Sequence, residues 1–131
     1  MSSVESLQIR RDERAALLQR ALEVLREDRR VVAAWLFGSL GRGDADDLSD
    51  IDLWVVVSDE HMEAVHSTRR EYVGSLGEPI LIEEAPQNAP SGGAYLLVLY
   101  GGVAGPHQVD WYWQPQSSAF IPQDTRLLFD R

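Results

Sequence analysis

"FGSLGRGDADDLSDIDLWVVV", residues 37–57, brings together two features that rarely adjoin. A Gly-Ser step, Gly38-Ser39, opens a loop crowded with carboxylates. Asp50 and Asp52 then begin a run that ends in three consecutive valines. The β-branched content of that run predicts a strand. Strand alternation puts Asp50, Asp52, Trp54 and Val56 on one face and Ile51, Leu53, Val55 and Val57 on the other. The aliphatic face belongs against helices, the acidic face in an open cleft. Two carboxylates at the start of a buried strand are costly unless something compensates them. The identity of that compensation decides what this stretch is for.

Elements on either side frame the loop. Residues 4–30 read as a helix, with Leu18, Leu22 and Leu25 at helical spacing and Leu17 and Ala21 beside them. "RRVVAAWLF" is a short apolar run leading into Gly38 and reads as a buried strand. Residues 58–77 read as a second helix, with Ser58 as its N-cap and Gly74 or Gly77 near its end. "EPILIEEA" reads as a third strand, and "AYLLVLYGGVAGPHQVDWYWQP" as two more joined by a glycine-rich turn at Gly101 and Gly102. The tail, "QSSAFIPQDTRLLFDR", is proline-punctuated and indefinite. This order predicts an α/β (α+β) domain: a mixed, mostly antiparallel sheet of about five strands with helices on one face. In "VDWYW", Asp110 shares a face with Tyr112, while Trp111 and Trp113 share the opposite one. The tryptophans can be core while Asp110 points into the cleft.

Side chains two apart on a strand start roughly 6–7 Å apart, and carboxylates so placed raise each other's pKa or recruit a cation. Hard divalent cations take oxygen ligands, and Mg²⁺ commonly combines a few carboxylates with substrate phosphates. A third carboxylate on an adjacent strand would complete a site for two ions about 4 Å apart, suited to in-line phosphoryl or nucleotidyl displacement. Asp110 is the candidate, because it interrupts an apolar strand on the matching face. Gly38, with no Cβ, allows a phosphate close to the backbone, and the Ser39 hydroxyl and Arg42 can donate to it. Magnesium bridged to a triphosphate would thus compensate Asp50 and Asp52.

The pattern of hydrophobic residue, Gly-Ser, a loop of about ten residues and Asp-hydrophobic-Asp-hydrophobic resembles the signature of the nucleotidyltransferase superfamily related to DNA polymerase β. It is most similar to a small bacterial branch that holds aminoglycoside nucleotidyltransferases and minimal nucleotidyltransferases paired with helical partners in toxin–antitoxin modules. The resemblance implies transfer of a nucleoside monophosphate from an NTP, ATP above all, to a hydroxyl, with two Mg²⁺ ions and release of pyrophosphate. It carries over Gly38 and Ser39 as triphosphate binders, Asp50 and Asp52 as metal ligands, Asp110 as the third carboxylate and Arg42 as a further phosphate contact. The acceptor is a small molecule such as an aminoglycoside-like antibiotic, or alternatively a helical protein partner; homodimerisation and a non-catalytic nucleotide-binding role are the other readings. The general base is not placed, although Asp110 could serve. Antibiotic-modifying members continue into a helical second domain. The expectation is therefore one catalytic domain over residues 1–131, followed by such a domain beyond this sequence or standing alone as a minimal member.

The whole chain sets limits. With 131 residues, 44% of them hydrophobic, it can build one domain core. Cysteine is absent, which removes disulfides, thiolate metal sites and a cysteine nucleophile. A formal net charge of −9 argues against broad nucleic-acid binding. The charged start and the lack of a long apolar run lead to the expectation of a cytoplasmic domain without membrane attachment. Asp44, Asp46 and Asp47 read as solvated loop acids, Glu83 and Glu84 as surface acids, and His61, His66 and His107 as structural or exposed. Trp54 and Tyr112 share the carboxylate face, where they either stack on a ligand or simply pack.

Overall fold

α1, Ser3–Glu27, begins where the Ser2 hydroxyl accepts a hydrogen bond from the Glu5 amide at 3.1 Å. The structure, a computed structural model, describes residues 2–37, 50–120 and 125–131. Leu17, Ala21 and Leu25, one turn apart, are the buried residues of α1. The helix stops three residues short of the expected end, and Asp28 is the reason. Its carboxylate accepts from the Arg30 amide at 3.0 Å, from the Arg30 guanidinium at 2.9 and 2.8 Å, and from the Tyr72 hydroxyl at 3.0 Å. These bonds offer the backbone an alternative to another helical turn.

The sheet has six strands: β1 (Val31–Phe37), β2 (Ile51–Val57), β3 (Pro79–Glu83), β4 (Ala94–Tyr100), β5 (His107–Pro115) and β6 (Arg126–Asp130). They lie in the order β3-β4-β5-β2-β1-β6. Every neighbouring pair is antiparallel except β2 and β5, which run parallel. The α+β class and the mixed sheet match expectation. The sixth strand comes from the tail read as indefinite. It is short, occupies an edge and pairs with residues 33–36 of β1 through a bulge, so its sequence carries little alternation.

The expected helix over residues 58–77 is broken into pieces. A 3₁₀ turn, Asp59–His61, precedes α2 (Met62–Ser67), α3 (Arg69–Val73) and a second 3₁₀ turn, Gly74–Leu76. Two hydroxyls explain the break: Ser67 donates to the Glu63 carbonyl at 2.9 Å and Thr68 to the Ala64 carbonyl at 2.8 Å. Such back-bonding bends a helix, and Thr68 leaves helical geometry at φ −109°, ψ 16°. Ser58 does not cap the backbone; its hydroxyl lies 2.8 Å from the His61 ring.

Among the described residues, the α-helices cover one face of the sheet. Leu17, Ala21 and Leu25 of α1 and Met62, Val65, Val73 and Leu76 join Leu53, Val55, Trp111 and Trp113 in the main core. The other face carries a smaller cluster of Ala33, Trp35, Trp54 and Val56, with Phe37, Tyr112 and Ala119 against it. Trp54 is stacked on Tyr112 at 4.4 Å between ring centroids, so its partner is this packing. No helix among the described residues is long and apolar enough to cross a membrane.

Burial alone would raise the Asp28 carboxyl, but the hydrogen bonds from Arg30 and Tyr72 outweigh it and hold it below the ordinary range. A depressed carboxyl contributes stability that is present above its unfolded pKa and lost as pH falls through the folded value. Asp28→Asn should therefore destabilise the chain by about 1 kcal/mol at pH 7, after discounting for solvent screening. The difference should shrink toward zero at pH values below about 3. Urea unfolding of both proteins at the two pH values measures it.

Candidate active site

Asp52 and Asp110 are register partners across the parallel β2–β5 join. Neighbouring strands lie about 4.8 Å apart, so the two side chains leave the same face side by side. Asp50 immediately precedes β2 and follows the same alternation. On the opposite face, Trp111 and Trp113 are completely buried. They stack at 5.3 Å, and the Tyr72 ring meets them edge-on. One register thus serves both the core and the cleft.

Asp110 is held by side chains of two strands. Only 8% of its surface is exposed. Its Oδ1 accepts from the Tyr95 hydroxyl at 2.6 Å, and the Gln108 amide lies 3.4 and 3.2 Å from its two oxygens. Gln108 stands two residues before Asp110 on the same face, where alternation alone could have found it. Tyr95 comes from β4, opposite Tyr112, and nothing near it in sequence signals the contact.

The acids disturb one another. Burial is the largest cause pushing the Asp52 carboxyl up to about 7, followed by the charge of Asp110, a hydrogen bond with Asp110 and the charge of Asp50. Asp50 is raised as well, by burial and then by Asp110, with Arg10 of α1 acting in the opposite direction. A hydrogen bond between two carboxyls requires a proton on one of them. The donor set fits a hard divalent cation: three mutually repelling carboxylates on one face. Among the described residues, no three His, Asp or Glu side chains are gathered tightly enough to hold an ion as they stand. Gly38, Ser39 and Arg42, expected at the phosphates, lie outside the described residues, as do Asp44, Asp46 and Asp47.

The remaining candidates separate from the site. His107 is buried and meets Glu13 of α1 at 3.0 Å. Glu84 pairs with Arg69 and Arg70 at the surface. His61 is occupied by Ser58.

The family model described as "Polymerase beta, Nucleotidyltransferase" matches residues 19–85, just over half of the chain. The chain belongs to the polymerase β nucleotidyltransferase family. The matched segment contains Asp50 and Asp52 of this nucleotidyltransferase domain and ends before β4 and β5. Asp110 therefore joins the other acids through the fold, not through the matched segment. No curated protein matches the chain.

The raised Asp52 carboxyl has a sign that can be measured. In the unfolded chain Asp52 titrates near the ordinary 3.8; in the fold it holds its proton up to about 7. The group's contribution to stability is complete below about 4 and is lost as pH rises through about 7. Asp52→Asn should thus match the wild type at pH 4 and melt about 3 °C higher at pH 8 in EDTA, a figure discounted for solvent access. A lower melting temperature for the variant at pH 8 would make Asp52 a structural acid. Thermal melts across this pH range decide the matter.

Proposed function

We propose that the chain is one nucleotidyltransferase catalytic domain that moves a nucleoside monophosphate from an NTP, ATP first among them, to a hydroxyl of a small acceptor. The observation that carries this reading is the pairing of Asp52 with Asp110 beside Asp50. Bond changes balance simply: the acceptor oxygen forms a bond to the α-phosphorus, the bond to pyrophosphate breaks, and the hydroxyl proton passes to a base. A carboxylate of the same cluster is the base we assign.

Asp50, Asp52 and Asp110 would hold Mg²⁺, with two ions expected. When bound, the cation neutralises phosphate charge and orients the α-phosphate for in-line attack. Tyr95 and Gln108 orient Asp110 through their hydrogen bonds. Gly38, Ser39 and Arg42 are assigned to the triphosphate on sequence alone. Tyr112 flanks the acids, and its hydroxyl is pushed up to about 12 by burial and then by Asp110 and Asp52. A net charge of −9 favours a cationic, hydroxyl-rich acceptor of the aminoglycoside kind, and a cytoplasmic setting supplies the nucleotide.

The test is pyrophosphate release from each of the four NTPs, with α-labelled nucleotide to follow the product, in the presence of an aminoglycoside. Release should require Mg²⁺, stop in EDTA and fall at least 100-fold, roughly, in Asp52→Asn and Asp110→Asn. Label appearing on a co-purified helical protein instead would move the acceptor to a protein. Absence of release with every NTP and acceptor would reduce the domain to nucleotide binding.

A further inference from the structure

β4 breaks the alternation that its place in the sheet calls for. An antiparallel region covered by helices on one face ordinarily turns polar residues to the other. β5 follows that rule, with Gln108, Asp110 and Tyr112 on the open face. β4, "AYLLVLY", is aliphatic or aromatic throughout. Its residues Ala94, Leu96, Val98 and Tyr100 belong to the main core. Leu97 and Leu99 alternate with them and face the other way. Leu81 of β3 is the register partner of Leu99 and joins them on that face. Leu97 and Leu99 are half-buried and Leu81 is 46% exposed. Among the described residues, none of the three belongs to either buried cluster or packs against one.

Register ties these leucines to the acids. Leu97 is the partner of Asp110 in the β4–β5 pairing, and Glu83 of β3 is the partner of Leu97. Asp110 is in turn the partner of Asp52, and Asp52 that of Phe37. One row across the open face therefore runs Glu83, Leu97, Asp110, Asp52, Phe37. Strand spacing puts Glu83 about 10 Å from Asp110, with Leu97 between them and Leu81 and Leu99 alongside. Gly38 and Ser39, assigned to the triphosphate, directly follow Phe37 in sequence, and Phe37 is the opposite end of that row. Among the described residues, Glu83 has no hydrogen-bond or ion-pair partner, whereas the neighbouring Glu84 is paired with Arg69 and Arg70.

Resting on the nucleotidyltransferase reading, we infer that Leu81, Leu97 and Leu99 with Glu83 form the acceptor side of the site and take a hydroxyl compound that has an apolar ring face and carries an amine. The hydroxyl lies at Asp110, the ring on the leucines and the ammonium at Glu83. The triphosphate is assigned to the β1 end of the row, which leaves the β4 and β3 end to the acceptor. Charge selects a cation: an acid stands at each end of the apolar strip, in a chain of net charge −9. Area selects a small molecule. The leucines span about 5 Å across the strands and about 7 Å along them. That is room for one ring, far below the roughly 800 Å² per partner of a stable protein interface. An apolar surface with a few polar groups at its margin is the composition of a small-molecule site.

The probe is tyramine, which carries a hydroxyl, a ring and an amine in line. It is titrated into protein labelled with ¹³C at the leucine methyls, in Mg²⁺ buffer with α,β-methylene ATP, whose α–β bridge cannot be cleaved. The methyl signals of Leu81, Leu97 and Leu99 should shift, and those of Leu127, exposed on β6, should stay. Leu97→Thr should weaken tyramine about fivefold, Glu83→Gln about threefold, and Leu127→Thr should match wild type. 4-Ethylphenol, which lacks the amine, should bind wild type and Glu83→Gln alike. Unmoved leucine signals, or wild-type affinity in folded Leu97→Thr and Glu83→Gln, overturn the inference. If Leu97→Thr melts at a markedly lower temperature, Leu81→Thr on the edge strand decides in its place, a loss of affinity supporting the inference and none overturning it. Nucleotidyl transfer to an aminoglycoside separates the two readings. Transfer undiminished in Leu97→Thr and Glu83→Gln overturns this inference and keeps the transferase. Tyramine binding that depends on Leu97 and Glu83, in a chain that transfers from no NTP, keeps the surface and removes the transferase reading.

Discussion

The parallel pairing of β2 with β5 is the constraint on which the molecule depends. Parallel neighbours cannot be joined by a tight turn. The chain between them must leave the sheet and return, and it does so through α2, α3, β3 and β4. That excursion sets α2 and α3 against the same face as α1. The same pairing sets Asp52 beside Asp110 and Leu53 beside Trp111. A slip of one residue would turn the tryptophans outward and drive the carboxylates into the apolar core. The cost of that error on both faces at once is what makes the register unique.

The cleft is destabilising as it stands, and the face behind it supplies the offset. Asp50 and Asp52 are both raised by burial and by neighbouring acids, so each ionised carboxylate opposes the fold. Directly behind them lie Trp111 and Trp113, completely buried, and aromatic burial is among the largest apolar contributions a side chain can make. Tyr72 ties this layer to the end of α1, because its hydroxyl reaches Asp28 while its ring meets both tryptophans. The helix end, the α2–α3 segment and the back of β5 therefore act as one unit beneath the acids.

How much was legible in the sequence follows from the range of each interaction. β2 and β5 could be read face by face, because alternation is local and both strands carry strong contrasts between acid and apolar residues. The family could be read because Gly38, Ser39, Asp50 and Asp52 fall within one short segment. The split between α2 and α3 was hidden because Ser67 and Thr68 are compatible with a helix until their hydroxyls turn back on Glu63 and Ala64. β6 was hidden because an edge strand that pairs through a bulge need not alternate. Tyr95 could not be found, since a hydrogen bond to Asp110 from the next strand depends on register across a turn.

The hydrogen bonds at the cleft join strands that the signature segment does not contain. Asp110 accepts from Tyr95 and lies within reach of the Gln108 amide. Those two side chains, on β4 and β5, hold the Asp110 carboxyl in place beside Asp52. The Asp52 carboxyl is pushed up to about 7, by burial first and then by its acid neighbours. Any cation held by Asp52 requires the proton that this raised carboxyl retains to leave. Occupation of the cleft is thereby coupled to proton release at Asp52, because the burial and like charge that gather the acids are what raise that carboxyl.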